Sequence, residues 1–202
     1  VGTILGIPCR IFRISFTGEL AYEVNVPANY ALSLWTQFIN AGEKYDITPY
    51  GTESMHILRA EKGYIIVGQE TDGTVTPLDL GMNWILSNKK DFIGKRSLAR
   101  ADTARNDRKQ LVGLLPEEKN QVLPEGGQII DTEKITIPMP MAGFVTSSYY
   151  SSNLQRSFAL GLIKNGHQRY GENVYINSNN SVVRAQITQP CFFDHDGIRL
   201  ND

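Results

Sequence analysis

The chain has 202 residues, with 20 lysines and arginines against 21 aspartates and glutamates. The resulting net charge of -1 provides no general attraction to nucleic acid or to an anionic membrane. No apolar run approaches the ~18 residues of a membrane-spanning helix. Cys9 and Cys191 match no zinc or redox spacing. We therefore expect a cytoplasmic protein with no nucleic-acid or membrane partner. Because residues 1–8 resemble the interior of a protein, we also expect a fragment of a longer chain.

The first predicted element is a β-hairpin between residues 10 and 26. Residues 10–16 and 20–26 alternate apolar and polar side chains. Thr17, Gly18 and Glu19 separate the two runs, and Gly18 can adopt the positive φ that a short bulged loop needs. Glu23 is an acidic residue inside the second run. It is either a solvent-facing side chain or a carboxylate held on the sheet to accept two parallel N–H donors from a ligand.

Two helices are predicted next. Apolar residues at 31, 34, 35, 38 and 39 form one face of an amphipathic helix, which Gly42 would end in the left-handed conformation. A second helix is predicted from Thr52 as N-cap to Gly63 as the glycine past its end. Further on, residues 64–67 and 82–86 are predicted strands, and residues 93–101 begin a short basic helix.

The second half of the chain has a different pattern. It contains six short β runs separated by Gly, Pro, Ser or Asn turns, at residues 110–115, 128–130, 141–147, 158–163, 173–177 and 182–188. A closed or nearly closed β-barrel is the economical arrangement, because closure removes exposed strand edges. Residues 178–181 are the predicted loop of its last hairpin. A charged stretch between Arg100 and Lys109 marks the boundary between domains of residues 1–104 and 105–202, which gives an α+β protein.

Familiar catalytic motifs are missing from the sequence. It contains no P-loop, dinucleotide fingerprint or nucleophile elbow. His56, His167 and His195 are far apart in sequence, and the aspartates that flank His195 have no second ligand cluster. We therefore expect no metal site.

Residues 13–27 resemble the folate-site signature of the glycine-cleavage T-protein (aminomethyltransferase) superfamily. Further motifs of that family follow in its order, at residues 58–64, 68–70, 76–77, 91–95, 143–147 and 190–194. Within the superfamily, the chain most resembles the C-terminal part of the α subunits of heterotetrameric sarcosine oxidases. The resemblance implies part of an aminomethyltransferase-like folate-binding domain, followed by a small six-stranded β-barrel.

The resemblance also implies a ligand, tetrahydrofolate, and residues that bind it. Glu23 occupies the position that binds the pterin ring, and Phe16 the position of an aromatic residue, although phenylalanine offers no hydroxyl. Tyr22, Met55 and Arg59 complete the predicted cofactor-binding set. Met55 stands where many T-proteins have arginine, which implies different handling of the folate tail. From the residues alone, Arg59 pairs either with a neighbouring glutamate or with a ligand carboxylate.

The family's catalytic aspartate would precede Val1, so no catalytic residue is expected in this fragment, which alone should be inactive. The implied parent enzyme oxidises sarcosine at a flavin elsewhere and transfers the one-carbon unit to tetrahydrofolate, giving 5,10-methylenetetrahydrofolate. FAD, FMN and NAD are expected only in the rest of that complex. The expected partners are its other subunits and the N-terminal part of the same chain.

Two alternatives remain open from the sequence. One is a stand-alone folate-dependent aminomethyltransferase or demethylase. The other is a folate-binding assembly factor for iron–sulfur clusters or tRNA modification. Residues 62–70 faintly resemble the Lys-Gly-Cys-Tyr-x-Gly-Gln-Glu motif of such factors, but the spacing is longer and the cysteine is missing.

Overall fold

The computed structural model describes residues 1–178 and 181–201. The chain forms two compact units. Unit 1 consists of Val1–Arg59 together with Asp196–Asp202, and unit 2 consists of Ala60–His195. The domain boundary near residue 104 stays a prediction. No helix in the described part of the chain is long and apolar enough to cross a membrane.

Unit 1 contains a three-stranded antiparallel sheet in the order β1-β2-β3, with β1 at Gly2–Ile4, β2 at Ile7–Phe12 and β3 at Glu23–Asn25. Strands β2 and β3 form the predicted hairpin, in which Ile11 pairs with Val24. Both strands are shorter than the sequence predicts, because the pairing stops at Phe12 and Glu23.

The connection between β2 and β3, residues 13–22, is held by contacts outside the strand ladder. The Arg13 guanidinium donates hydrogen bonds to the carbonyl of Leu200 at 2.8 Å and to the side chain of Asn201 at 3.3 Å. The amide of Leu20 donates to the carbonyl of Arg199 at 2.8 Å. These bonds to the chain's last turn replace the cross-strand bonds that a longer hairpin would form. Gly18 adopts the expected positive φ of 86°.

Both predicted helices of this region form. Helix α1 spans Ala31–Gly42 and α2 spans Thr52–Glu61. The predicted left-handed cap at Gly42 is wrong: its φ is -84°, and the left-handed residue is Asp46 after the short 3-10 turn Glu43–Tyr45. Glycine suits position 42 because a Cβ there would lie 2.6 Å from the side chain of Ile47.

Unit 1 buries few apolar side chains. Among its described residues, Ile7, Cys9 and Leu34 are the buried apolar ones. Leu34 is the one buried residue of α1, although the helix carries a complete apolar stripe. Many large apolar side chains of this unit are exposed: Val1, Leu5, Ile11, Phe12, Ile14, Phe16, Leu20, Tyr22, Tyr30, Leu32, Trp35, Phe38, Tyr45, Ile47, Tyr50 and Ile198.

Unit 2 is built on a closed six-stranded antiparallel barrel, as predicted. The strand order is β4-β7-β6-β5-β8-β9, which closes because β4 pairs with both β7 and β9. The strands are β4 (Lys109–Pro116), β5 (Gln128–Ile130), β6 (Met141–Ser151), β7 (Arg156–Lys164), β8 (Asn173–Ser178) and β9 (Ser181–Thr188). Residues 179–180 of the predicted hairpin loop lie outside the described residues.

The barrel interior is a dense apolar core. Alternate residues of the strands point inward, which is the pattern that a closed sheet requires. Its fully buried members include Val112, Leu114, Ile129, Ile163, Val174, Ile176 and Ile187.

The segment between α2 and the barrel is irregular. Residues 64–67 contribute an isolated bridge between Val67 and Thr71 rather than the predicted strand. Asn83–Ile85 forms a 3-10 helix where a strand carrying Trp84 was expected, and Trp84 is 78% exposed. β-propensity did not produce a strand here because these residues have no partner strand among the described residues. The predicted basic helix is a 3-10 helix at Lys95–Ala99.

Candidate functional site

Glu23 is the first residue of β3 and lies opposite Phe12 on β2. Its side chain is exposed, and one carboxylate oxygen, Oε1, accepts a hydrogen bond from Asn25 Nδ2 at 2.9 Å. The other oxygen, Oε2, has no hydrogen-bond partner among residues 1–178 and 181–201. Each carboxylate oxygen offers two lone pairs. Glu23 therefore retains acceptor sites on both oxygens while its backbone is held by strand pairing.

Phe16 and Tyr22 lie in the connection between β2 and β3. Phe16 is 40% exposed and Tyr22 61% exposed. The amide of Gly18 donates a hydrogen bond to Ser15 Oγ at 2.9 Å, which shapes the turn beside Phe16. The connection thus places two aromatic rings at the surface, near in sequence to the carboxylate of Glu23.

Met55 and Arg59 lie four residues apart on α2, on the same side of the helix. Met55 is half-buried and Arg59 is fully buried. Complete burial is typical of a guanidinium that has a structural partner, so it favours the structural alternative for Arg59. All five predicted residues belong to unit 1, three on the hairpin and two on α2. Their convergence on one ligand stays a prediction.

Two buried carboxylates of unit 2 were not singled out from the sequence. Glu61 accepts hydrogen bonds from Ser151 Oγ at 2.6 Å and from Asn153 Nδ2 at 2.8 Å. Glu70 accepts from Ser147 Oγ at 2.5 Å and from the amide of Ile66 at 2.8 Å. Since Ser147 and Ser151 belong to β6, these bonds fasten residues 61–70 to the barrel.

The same segment is fastened to the end of the barrel chain. The ammonium group of Lys62 donates to the carbonyl of Asp194 and lies 3.2 Å from its carboxylate, with side-chain exposures of 6% and 9%. The amides of Phe192 and Phe193 both donate to the carbonyl of Glu61. Next to this pair, burial raises the pKa of the Cys191 thiol, so the neutral form is favoured.

A third buried acid, Asp79, joins the irregular segment to β4. Arg108 donates to its carboxylate through Nε and Nη2, the latter at 2.8 Å, and the amide and hydroxyl of Thr76 each donate at 2.8 Å. Burial by itself raises the pKa of Asp79, but the hydrogen bonds from Arg108 and Thr76 outweigh it and hold the pKa below its ordinary value. The carboxylate is therefore kept ionised.

These three acids had a weak signal in the sequence. Glu61 and Glu70 stand in the motifs at residues 58–64 and 68–70, and Asp79 closely follows the motif at residues 76–77. Periodicity could not assign them a role, because their partners are distant in the chain. Their contacts are structural, and they support the segment rather than an open site. No group of three or more potential metal-ligating side chains occurs in the described ranges.

Comparisons with known families match both halves of the chain. A sequence profile of the GCVT N-terminal domain matches residues 1–90. A profile of the Glycine cleavage T-protein C-terminal barrel domain matches residues 109–194. The chain belongs to the glycine-cleavage T-protein family.

Some of the similar proteins are named as oxidase subunits and others as transferases. The chain is 49% identical over 196 residues to the sarcosine oxidase subunit alpha of Corynebacterium sp. strain U-96, and 40% identical over 194 residues to that of Rhizobium meliloti. It is 31% identical over 193 residues to an aminomethyltransferase of Thermoanaerobacter pseudethanolicus. These alignments cover 94–96% of the chain, but only 20% of each oxidase subunit and 50% of the transferase.

A solved structure has the same fold. The glycine cleavage system aminomethyltransferase T from Bartonella henselae superposes with a TM-score of 0.78 over 92% of this chain and 49% of that one, at 20% sequence identity. The predicted T-protein fold, with its mixed α/β first part and C-terminal barrel, is therefore confirmed.

Proposed function

We propose that this chain is the folate-binding part of a sarcosine oxidase α subunit, where it presents tetrahydrofolate to the one-carbon unit released from sarcosine. The main support is that the chain has a higher sequence identity to sarcosine oxidase α subunits than to aminomethyltransferases. Three sarcosine oxidase α subunits are 40–51% identical to the chain, whereas the aminomethyltransferases reach 29–32% over similar lengths. We further propose that the product of this reaction is 5,10-methylenetetrahydrofolate.

The chemistry of the hairpin suits this ligand. A pterin ring presents an exocyclic amine and a ring N–H side by side, and a carboxylate accepts two parallel donors with favourable charge. Glu23 has acceptor sites on both oxygens and stands on a paired strand. The exposed rings of Phe16 and Tyr22 offer flat apolar surface for a heterocycle.

The proposed role of these residues is to position the ligand. Holding folate beside an incoming imine or formaldehyde converts a bimolecular step into one within a bound complex. Met55 on α2 is the proposed contact for the rest of the ligand, and Arg59, which is fully buried, is proposed to act indirectly by supporting α2. FAD, FMN and NAD belong, in this proposal, to other parts of the complex, and the other subunits and the upstream chain are its partners. The fragment by itself would then be inactive.

The test is a calorimetric titration of the complete enzyme with tetrahydrofolate. Glu23→Ala should weaken binding by about 1.5–3 kcal/mol, which is the usual scale for hydrogen bonds to a charged group and corresponds to about 10- to 150-fold in Kd. Glu43→Ala, a change at another exposed acidic residue of unit 1, should leave the affinity unchanged. Unchanged folate affinity in Glu23→Ala would refute the assignment.

A stand-alone aminomethyltransferase is the second candidate, supported by the relatives of that name and by the solved structure of similar fold. The two candidates differ in the source of the one-carbon unit. Sarcosine-dependent oxygen consumption by the complete protein supports the oxidase. Transfer from an aminomethylated donor without oxygen consumption supports the transferase.

A further inference from the structure

The connection between β2 and β3 carries two of the residues proposed to bind folate, Phe16 and Tyr22. Strand pairing stops at Phe12 and Glu23, so the ladder fixes the backbone of Glu23 but not that of residues 13–22. A connection outside a ladder is mobile unless other contacts hold it, and a mobile segment has to be ordered when a ligand binds. The contacts that hold this connection therefore bear on ligand affinity.

Residues 199–201, which belong to the same unit, hold the start of the connection. The Arg13 guanidinium donates hydrogen bonds to the carbonyl of Leu200 at 2.8 Å and to Asn201 Oδ1 at 3.3 Å. Because a guanidinium is a planar group with fixed donor directions, such a contact fixes orientation as well as distance. Arg13 and these two partners are 187 and 188 residues apart in sequence, so the contact exists only in the tertiary fold.

The same segment also holds the connection close to its other end. The amide of Leu20 donates a hydrogen bond to the carbonyl of Arg199 at 2.8 Å. The Arg199 guanidinium lies 2.9 Å from Glu19 Oε1, but both side chains are about half exposed, so this ion pair by itself contributes little. Phe16 thus lies, in sequence, between two points at which the connection is attached.

We propose that Arg13 and residues 199–201 are positioning residues for folate, which hold residues 13–22 so that the rings of Phe16 and Tyr22 are already in place when the ligand arrives. The inference rests on the proposed function, because it concerns the same ligand. The positioning residues need not touch folate. When only a fraction of the protein has the binding-competent arrangement, the apparent Kd rises in inverse proportion to that fraction. Loosening the connection therefore weakens binding without removing any ligand contact.

The main test is a calorimetric titration of the complete enzyme with tetrahydrofolate. Arg13→Gln removes the charged donors and should raise the Kd about two- to tenfold, which is the scale of one hydrogen bond of this kind. Arg13→Lys keeps a positively charged donor and should restore part of the affinity. Arg10→Gln is the matched control, since Arg10 is an exposed arginine of β2, and it should leave the Kd unchanged.

A double-variant cycle separates positioning from a general loss of stability. In the Phe16→Ala/Tyr22→Ala background the ligand has no rings to contact on the connection, so Arg13→Gln should change the Kd by less than about twofold. An effect of Arg13→Gln that is equally large in both backgrounds overturns the positioning role.

Amide hydrogen exchange measures the holding contacts without any ligand. Peptides covering residues 14–22 should exchange at least about threefold faster in Arg13→Gln than in the unsubstituted enzyme. Exchange should be faster still in a variant whose chain is ended before Ile198, because that variant lacks every contact of residues 199–201. Unchanged exchange in both variants overturns the proposal.

Glu23→Ala, measured in the same titrations, separates this proposal from the proposed function. Weaker binding in Glu23→Ala with unchanged binding in Arg13→Gln overturns the positioning role and leaves folate binding in place. Weaker binding in Arg13→Gln alone supports the positioning role and refutes only the assignment of Glu23. Unchanged binding in both variants overturns both proposals.

Discussion

The two units of this chain bury their apolar residues very differently. The barrel of unit 2 closes on itself, so every strand has two neighbours and the inward side chains form one continuous core. The sheet of unit 1 has three strands and leaves the apolar faces of its sheet and helix exposed. A closed sheet completes its own core, whereas an open sheet with one amphipathic helix does not.

The largest expected effect on the free energy of unfolding comes from truncating a side chain in the barrel core. Ile187→Ala in the barrel should lower the free energy of unfolding by about 2–5 kcal/mol, because a buried side chain leaves a cavity. Phe38→Ala in unit 1 should change it by less than about 0.5 kcal/mol in the 202-residue chain. Urea unfolding with peptide-level hydrogen exchange measures both units. A loss at Phe38 as large as that at Ile187 would contradict the contrast.

A smaller effect is expected at the junction between residues 61–70 and the end of the barrel. Gly63 has a φ of 72°, and a Cβ there would lie 2.6 Å from the carbonyl oxygen of Pro190. Gly63→Ala should therefore lower the free energy of unfolding by about 2–4 kcal/mol, because alanine is strained in the left-handed conformation and its Cβ would displace the neighbouring backbone. Thermal unfolding checks this, with Gly73→Ala as control, since a Cβ there meets nothing within 4 Å. Equal Tm values in the two variants would rule out the close contact.

The smallest expected effect depends on pH. The pKa of Asp79 is held below its ordinary value of 3.8, so its ionised form stabilises the fold above that pH and the contribution is lost as pH falls through the lowered value. Asp79→Asn should lower the free energy of unfolding by about 1.5–3 kcal/mol at pH 7, since hydrogen bonds to a charged group are lost. The difference in free energy of unfolding between Asp79→Asn and the unsubstituted protein should become smaller below pH 3.8. Urea unfolding at several pH values measures it, and a gap independent of pH would exclude the ionised carboxylate as its cause.

The buried acids explain why unit 2 extends beyond its barrel. Glu61 and Glu70 accept hydrogen bonds from serines of one strand, β6, and Asp79 binds Arg108 just before β4. A segment with little regular secondary structure is thereby attached at several points. In unit 1, by contrast, the connection bearing Phe16 is attached through Arg13 and Leu20 to residues 199–201.

How far the sequence predicted each element depended on how local its stabilising contacts are. Residues 128–130 were predicted with the observed bounds, because turns and alternation mark barrel strands locally. Residues 82–86 were predicted as a strand and form a 3-10 helix at Asn83–Ile85, because a strand also needs a partner. Gly42 was correctly placed at the end of α1, but its role comes from the nearby side chain of Ile47.

The candidate site shows the same division. The alternation around Glu23 predicted a carboxylate on a paired strand, and β3 begins at that residue. The sequence left two interpretations of Glu23 open, a solvent-facing side chain or a ligand-binding carboxylate, and the exposed side chain is compatible with both. The burial of Arg59 could not be predicted, since it depends on what packs around α2.

Local alternation, helical spacing and turn residues thus determined the barrel strands, both helices and the hairpin, while the family resemblance came from motifs in the family's order. Such patterns arise from the geometry of the backbone and from which side chains avoid water. Only the tertiary structure decided which carboxylates are buried and paired, and which apolar faces are covered. Those outcomes depend on contacts between residues far apart in the chain, such as Glu61 with Ser151 and Asp79 with Arg108, whose partners no local pattern specifies.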